Sequence, residues 1–157
     1  MSTKTTAAQT VNDIMTADPI RVSGDTTAQE FARILAANEI SGVPVVDALD
    51  RVIGVVSKTD LLHRCVEGPV GSTSGTFFEA LAEGRSAELE SEDLGPVEEF
   101  MTPEPVVASC DDAIAGTARR MAEEGVHRIV VVDDQRHVLG IVTSLDLLRA
   151  FPGSGNE

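Results

Sequence analysis

The sequence GVVSKTDLL at residues 54–62 decides the fold, because it returns as GIVTSLDLL at residues 140–148. When the chain is shifted by 86 residues, residues 11–64 align with residues 97–150 without a gap. About a third of the paired positions are identical, far more than unrelated sequences would share. The chain is therefore an internal duplication.

Each copy of the motif places a hydroxyl residue at the end of an apolar run and an aspartate three residues later. The pairs are Ser57 with Asp60 and Thr143 with Asp146. This spacing is typical of a capping box, which only satisfies the backbone donors at the start of a helix. The alternative role is a carboxylate that accepts hydrogen bonds from the hydroxyls of a ribose. The residues alone favour the cap.

The pattern around each motif predicts a β-α-β-β-α unit. An extended segment broken by proline precedes Asp25 or Asp111, each a candidate N-cap. Small or apolar residues at helical spacing then predict one long helix in each repeat. These residues are Ala28, Phe31, Ala32 and Leu35 in the first repeat, and Ile114, Thr117, Ala118 and Met121 in the second. Two β-branched runs joined by a tight turn predict a hairpin, and a short helix opens at the motif.

The predicted fold class is α/β, with two β-α-β-β-α repeats. A repeat of about fifty residues is too small to bury both faces of its sheet, so we expect the repeats to pack through their sheets about a pseudo-twofold axis. Equivalent residues would then meet across a cleft. The predicted organisation is a disordered polar tail at 1–10, repeats at 11–64 and 97–150, an acidic and partly helical linker at 65–96, and a tail at 151–157. Phe77, Phe78 and Leu81 of the linker are expected to cover an edge of the module.

Charge, cysteine spacing and hydrophobicity disfavour several classes of partner and site. The formal charge of −14 disfavours nucleic-acid partners, because the chain repels a phosphate backbone. Cys65 and Cys110 have neither metal-ligand nor redox-motif spacing, so we expect reduced thiols and no metal. No apolar run approaches the roughly eighteen residues that a membrane span needs, and residues 1–10 contain no apolar run, so we expect neither a membrane span nor a signal peptide. We therefore expect a cytoplasmic protein with no membrane partner.

Catalysis is not predicted. The sequence has no Ser-His-Asp or Cys-His arrangement at recognisable spacing and no phosphate-binding glycine loop. His63 and His137 have no ligand partner four residues away, so both are expected to be solvated. We therefore expect a protein that is not an enzyme.

The motifs together resemble a tandem pair of cystathionine-β-synthase (CBS) domains, known as a Bateman module. The first repeat carries DIMTADPIRV, EISGVPVVD and RVIGVVSKTDLL, and the second carries EFMTPEPVVA, GVHRIVVVD and HVLGIVTSLDLL. The resemblance covers both repeats in the same order. It implies a regulatory module that binds an adenosine-containing effector such as AMP, ADP, ATP or S-adenosylmethionine, requires no cofactor, forms a homodimer, and signals to an effector protein that the sequence does not identify.

The resemblance also implies roles for individual residues. The residues implied for the ribose are Ser57, Asp60, Thr143 and Asp146; those for phosphate are Lys58, His127 and Arg128; and those for the adenine pocket are Ile40, Ser41, Gly42 and Val126. The cations are not duplicated, because Ser144 stands where the first repeat has Lys58. We therefore expect two unequal sites: if phosphates bound at the first site reach across the pseudo-twofold axis, the three cations would converge there and leave the second site weaker. Asp18 and Glu104 would disfavour a highly charged ligand if they face it. The alternative is a structural or interaction module in which the motifs act only as caps.

Overall fold

A computed structural model of the chain describes residues 9–67 and 94–150. The linker residues Phe77, Phe78 and Leu81, and the predicted tails apart from residues 9 and 10, lie outside the described residues. Contacts divide the chain into two compact units, one formed by Ile20–Glu104 and the other by Met1–Pro19 with Pro105–Glu157. None of the described helices is both long enough and apolar enough to cross a membrane.

The described elements follow the predicted order in both repeats. The first repeat contains α1 (Val11–Ile14), β1 (Thr16–Ala17), β2 (Val22–Ser23), α2 (Ala28–Asn38), β3 (Gly42–Val46), β4 (Val52–Ser57) and α3 (Lys58–Glu67). The second contains a 3-10 turn (Val97–Glu99), β5 (Thr102–Pro103), β6 (Val107–Ala108), α4 (Ile114–Glu124), β7 (Arg128–Val132), β8 (Val138–Thr143) and α5 (Ser144–Ala150). The α/β class and the duplicated unit are confirmed.

Each unit contains one four-stranded sheet. The strand orders are β2-β3-β4-β5 and β1-β8-β7-β6. Strands β3 and β4 pair antiparallel, as do β7 and β8, which confirms the two predicted hairpins. The strand before each long helix, β2 or β6, pairs parallel with the first strand of its own hairpin.

The outer strand beside each motif strand comes from the other repeat. Strand β5 pairs antiparallel with β4, and β1 pairs antiparallel with β8. The short segment before each proline, Pro19 or Pro105, is thus exchanged between the repeats, and the compact units have different boundaries from the sequence repeats.

Glycine makes this exchange possible. A Cβ atom at Gly54 would lie 2.9 Å from the backbone oxygen of Thr102 and closer still to the sulfur of Met101. At Gly140 a Cβ would lie 3.0 Å from the backbone oxygen of Thr16 and would meet the sulfur of Met15. The repeated methionine thus packs over the repeated glycine, and a side chain at either glycine would crowd the backbone of the outer strand.

The long helices bury the predicted stripes. Ala28, Phe31, Ala32 and Leu35 of α2 are almost fully buried against the hairpin of their unit. In α4, Ile114, Thr117 and Met121 are buried and Ala118 is half-buried. The Thr117 hydroxyl donates to the carbonyl oxygen of Ala113 at 3.0 Å, so this buried polar group is satisfied.

The predicted N-caps are wrong. Helix α2 is capped by Thr27, whose side chain accepts from the N–H of Glu30 at 3.0 Å, and α4 begins after Ala113. Asp25 lies inside a turn closed by the Thr26 N–H on the Ser23 oxygen, so the helix starts later than expected. Asp111 likewise precedes Ile114, the first residue of its helix, by three residues.

Both long helices end in a residue with left-handed backbone. That residue is Glu39 in the first repeat, with φ of 54°, and Gly125 in the second, with φ of 70°. A side chain in this region carries a steric cost that glycine avoids.

Each hairpin turn is organised by one aspartate. The Asp47 carboxylate accepts from the N–H groups of Leu49 and Arg51 and from the Arg51 guanidinium, each at 2.9 Å. The Arg51 N–H is the main cause of a pKa of Asp47 below the ordinary 3.8. Asp133 repeats the arrangement with Gln135 and His137, and its pKa is lowered chiefly by the His137 N–H.

The two cysteine thiols are free. Cys65 is buried in the core of the first unit, and burial raises the pKa of its thiol to about 11. Since the thiolate is the reactive form, Cys65 is an apolar core residue without nucleophilic character at neutral pH.

Gly54→Ala is expected to lower the free energy of unfolding by about 2 kcal/mol, because the backbone of Thr102 cannot move away while β5 stays paired. Gly116→Ala is the matched control, since no atom lies within 4 Å of the added methyl group and α4 gains a better helix former. Urea unfolding followed by circular dichroism measures both. Equal stability of the two variants would contradict the proposed contact.

Glu39→Gly is expected to raise the free energy of unfolding by about 1 kcal/mol, because the left-handed residue loses its steric cost. The reciprocal change, Gly125→Ala, should lower it by a similar amount. Thermal unfolding of both variants against the parent checks the pair, and a loss of stability in Glu39→Gly would contradict it.

The hairpin turns predict an acid-sensitive contribution to stability. A folded-state pKa below the unfolded value of 3.8 means that the stabilisation is present above about pH 4 and is lost as the pH falls through the folded value. The loss of unfolding free energy between pH 5 and pH 3 should therefore be smaller in Asp47→Asn than in the parent. Asp134→Asn is the control, because Asp134 is an exposed residue of the second hairpin turn, and it should follow the parent in the same urea titrations.

Candidate functional site

The first group of predicted residues lies at one end of the hairpin β3–β4. The antiparallel register places Gly42 opposite Ser57, and α3 begins directly after Ser57. The N–H of Lys58 donates to the carbonyl oxygen of Ser41 at 2.8 Å. Ile40 joins this end through its N–H, which donates to the Leu35 oxygen at the end of α2. The unit formed by Ile20–Glu104 thus collects Ile40, Ser41, Gly42, Ser57, Lys58 and Asp60.

The second group occupies the same place in the other unit. Arg128 lies opposite Thr143, and the Ser144 N–H donates to the His127 oxygen at 3.0 Å. The Ser144 hydroxyl donates to the same oxygen at 3.2 Å. The N–H of Val126 donates to the Met121 oxygen at the end of α4. Repetition of the hairpin therefore repeats the whole arrangement around each motif.

The first motif forms a complete capping box. Asp60 Oδ2 accepts from the Ser57 N–H at 2.8 Å and from the Ser57 hydroxyl at 3.0 Å. The N–H of Asp60 donates in return to Ser57 Oγ at 3.1 Å. The structural role considered for this motif is therefore present, and Ser57 is the N-cap of α3.

The second motif forms the same box with one bond fewer. Asp146 Oδ2 accepts from the Thr143 N–H at 2.8 Å, and the Asp146 N–H donates to Thr143 Oγ1 at 3.2 Å. Within residues 9–67 and 94–150, the Thr143 hydroxyl proton has no acceptor. The two sites consequently differ in the hydrogen bonding of the hydroxyl residue.

Both boxes use one oxygen of the carboxylate. The bonds end on Oδ2 of Asp60 and Oδ2 of Asp146, and Oδ1 of each has no hydrogen-bond partner in the described part of the chain. Both side chains are half-buried at the edge of their sheet. A carboxylate oxygen held in this way is a fixed acceptor for a hydroxyl group of a ligand. Capping and ligand binding are therefore compatible in the same residue.

The predicted cations divide between the units. Lys58 is half-buried beside the first motif, and His127 and Arg128 begin the strand beside the second, where His127 is exposed and Arg128 half-buried. The first group thus has one cation and the second has an arginine and a histidine. In the described ranges, no set of three or more His, Cys, Asp or Glu residues is placed to hold a metal ion.

The sequence did not predict that β5 pairs with the motif strand β4, or that β1 pairs with the motif strand β8. Thr102 lies opposite Val55 on β4, and Thr16 lies opposite Ile141 on β8, two residues before each motif hydroxyl. The identity of Met15 with Met101 and of Gly54 with Gly140 was the available signal. Asp18 and Glu104 follow these strands with φ of 51° and 49°, and their N–H groups donate to the oxygens of Leu139 and Ile53.

Comparison with known proteins identifies the family. The CBS domain model matches residues 11–67 and 97–153. The chain belongs to the CBS domain family. The tandem pair matches the arrangement of a Bateman module.

Solved structures of CBS domain pairs superpose on the chain. The CBS domain pair of protein MJ0100, in complex with 5'-methylthioadenosine and S-adenosyl-L-methionine, is 28% identical, with a TM-score of 0.71 and coverage of 95% of this chain and 100% of that chain. CBSX2 of Arabidopsis thaliana in complex with AMP is also 28% identical, with a TM-score of 0.69 and coverage of 90% and 95%.

The chain is similar to part of a long protein and to most of a short one. L-aspartate semialdehyde sulfurtransferase of Methanocaldococcus jannaschii is 29% identical over 143 residues, which span 91% of this chain and 23% of the sulfurtransferase. The uncharacterized protein MJ1426 of the same organism is 29% identical over 152 residues and is matched over 90% of its length, as is this chain. The chain therefore spans about a quarter of one relative and most of the other.

Proposed function

We propose that the protein is a non-catalytic regulatory module that binds an adenosine-containing ligand of the AMP, ADP, ATP or S-adenosylmethionine class. The observation that carries the proposal is the pair of fixed carboxylates, each with one oxygen used by the capping box and the other without a partner among the described residues. Relatives with 28% identity hold AMP, or S-adenosyl-L-methionine with 5'-methylthioadenosine.

The ribose is the part of the ligand that the motifs would recognise. Oδ1 of Asp60 and Oδ1 of Asp146 would accept hydrogen bonds from ribose hydroxyls, which are the donors that all members of this ligand class share. Ser57 and Thr143 fix the carboxylates through the bonds described above. A site that reads only the ribose would accept several adenosyl ligands.

The rest of the ligand would contact the ends of the hairpin strands. Ile40, Ser41 and Gly42 in one unit and Val126 in the other are proposed to contact the adenine base, because they adjoin the motif through strand register and backbone hydrogen bonds. Lys58, His127 and Arg128 are the proposed phosphate contacts. The formal charge of −14 repels an anionic ligand, so cations beside the motifs would be needed to bind its phosphate groups.

The output is proposed to be a change in conformation or assembly that a partner protein recognises. A ligand shifts such an equilibrium only through different affinities for its two states. The proposed recipients of this change are an effector protein and a second copy of this chain in a homodimer.

The second candidate function is a structural or interaction module without nucleotide. The capping boxes favour it, because they are formed without a ligand and satisfy backbone donors on their own. The two functions differ in one property. A cap changes stability alone, whereas a binding residue also changes the response to ligand.

Thermal unfolding against AMP, ADP, ATP, S-adenosylmethionine, NAD and adenosine, each titrated, tests the proposal. We expect a rise in Tm that increases with the concentration of at least one adenosyl ligand, because binding to the native state adds to its stability. Asp60→Ala and Asp146→Ala should each cost about 1 kcal/mol of stability through the lost cap. At least one of them should also abolish the ligand-dependent rise.

Thr59→Ala is the matched control for the first motif, because Thr59 is an exposed residue of the same helical turn. It should keep the full response to ligand. No rise with any of the six compounds at millimolar concentration, together with earlier melting of both aspartate variants, would contradict nucleotide binding and support the structural module.

A further inference from the structure

Two methionines pack in the same way on the strands that carry the motifs. The sulfur of Met101 is the nearest atom to the position that a Cβ at Gly54 would occupy, and the sulfur of Met15 is the nearest to that position at Gly140. Each methionine is also packed against the hydrophobic core of its own unit. Each thioether thus lies over a motif strand and directly precedes the outer strand that pairs with it.

The two methionines differ in exposure from a third one. Met15 and Met101 are half-buried, whereas Met121 is 3% exposed in the core of the second unit. A thioether is oxidised to a sulfoxide only where the oxidant reaches the sulfur atom. We therefore expect the two half-buried methionines to react with a dissolved oxidant before Met121 does.

Oxidation would change the contact with the glycine. It converts a flexible apolar side chain into a polar one with an additional oxygen atom. The backbone oxygens of Thr102 and Thr16 lie beside the two glycines, 2.9 Å and 3.0 Å from the same Cβ positions. A sulfoxide oxygen is an acceptor, so it gains no hydrogen bond from these carbonyl groups. The apolar packing is therefore weakened with no new bond to them in exchange.

We propose that Met15 and Met101 are sites of reversible oxidation by a peroxide, and that the sulfoxide loosens the outer strand from the motif strand. With hydrogen peroxide, the sulfur donates an electron pair to one oxygen, an S–O bond forms and the O–O bond breaks. The proton of the transferred oxygen moves to the second oxygen, which leaves as water. Sulfur is oxidised and the peroxide is reduced.

The reverse step uses known chemistry. Methionine sulfoxide reductases return the sulfoxide to the thioether. A dithiol supplies two electrons and two protons and becomes a disulfide, and the sulfoxide oxygen leaves as water. The pair of methionines would thus make the edges of both sheets sensitive to oxidants, whether or not a ligand is bound.

Peptide mass spectrometry after treatment with hydrogen peroxide tests the selectivity. The whole chain carries Cys110→Ser, because a free thiol that is half-buried would also consume peroxide. In the folded protein, Met15 and Met101 should form sulfoxide about tenfold faster than Met121, because only their sulfurs are near solvent. In urea the three rates should agree within about twofold, because all three side chains are then exposed.

Thermal unfolding and amide hydrogen exchange followed by NMR test the structural effect. The oxidised protein should unfold about 5 °C below the reduced protein, and a methionine sulfoxide reductase should restore the Tm. The amides of Asp18 and Glu104 donate to the oxygens of Leu139 and Ile53 beside the outer strands. Their exchange should become about tenfold faster on oxidation, whereas that of the Phe31 amide inside α2 should stay within about twofold.

The matched variant is Met15→Leu combined with Met101→Leu. Leucine keeps an apolar side chain of similar volume and has no sulfur atom to oxidise. Peroxide should leave the Tm and the amide exchange of this variant unchanged. Each single substitution keeps one of the two contacts and assigns the effect of oxidation to one outer strand, and the measurements on the protein with all its methionines need no variant at these positions.

Two results would overturn the inference. A methionine that reacts no faster than Met121 in the folded protein is not such a site. Selective oxidation of Met15 and Met101 with unchanged Tm and unchanged amide exchange would show that the sulfoxide does not loosen the outer strands. All of these measurements are made without nucleotide, so their outcome is independent of the proposed function.

Discussion

The contact on which each sheet depends is a methionine packed over a glycine. Met101 lies over Gly54 and Met15 over Gly140, and the backbone that follows each methionine forms the outer strand of the sheet. The absence of a side chain on the motif strand allows the neighbouring backbone to approach. Without this contact β4 and β8 would be edge strands with unpaired backbone groups next to the candidate site, and such edges tend to pair with other chains.

The motif strands then connect this contact to the site. Each strand begins in the hairpin, passes the glycine, and ends at the hydroxyl residue that starts the next helix. The capping box at that point satisfies the backbone and fixes a carboxylate in one arrangement. Because the capping box uses only one carboxylate oxygen, the other oxygen is available to bind a ligand. The same aspartate can therefore have both the structural role and the binding role.

Much of the fold was predictable from the sequence, because it depends on local patterns. Phe31 and Leu35 at helical spacing, the β-branched runs around Asp47 and Asp133, and the repeated motif predicted the helices and hairpins correctly. Asp25 and Asp111 were wrong as N-caps, because the position of a cap depends on the turn that precedes the helix and not on residue type alone. The pairing of β1 with β8 was not predicted, since no local pattern specifies which distant strand an outer segment will join.

The positions of the candidate site residues next to the motifs were predictable to a similar extent. Residues 40–42 and 126–128 were expected near the motifs, and strand register places each set beside the motif of its own unit. The difference between Ser57 and Thr143 was not predictable. One hydroxyl bonds to the carboxylate of its motif and the other does not, although both stand at the same spacing and carry the same group.

The exchange of the outer strands also sets an order of assembly during synthesis. The unit formed by Ile20–Glu104 is continuous in sequence, so all of its strands are available once Glu104 has left the ribosome. Thr16 pairs with Ile141, so a segment synthesised before this unit pairs with a strand that is synthesised after it. Contacts between such distant parts of a chain form late, because closing the loop between them costs entropy first. Strand β1 is therefore expected to join its sheet only after β8 has been synthesised, although β1 precedes β8 by more than a hundred residues.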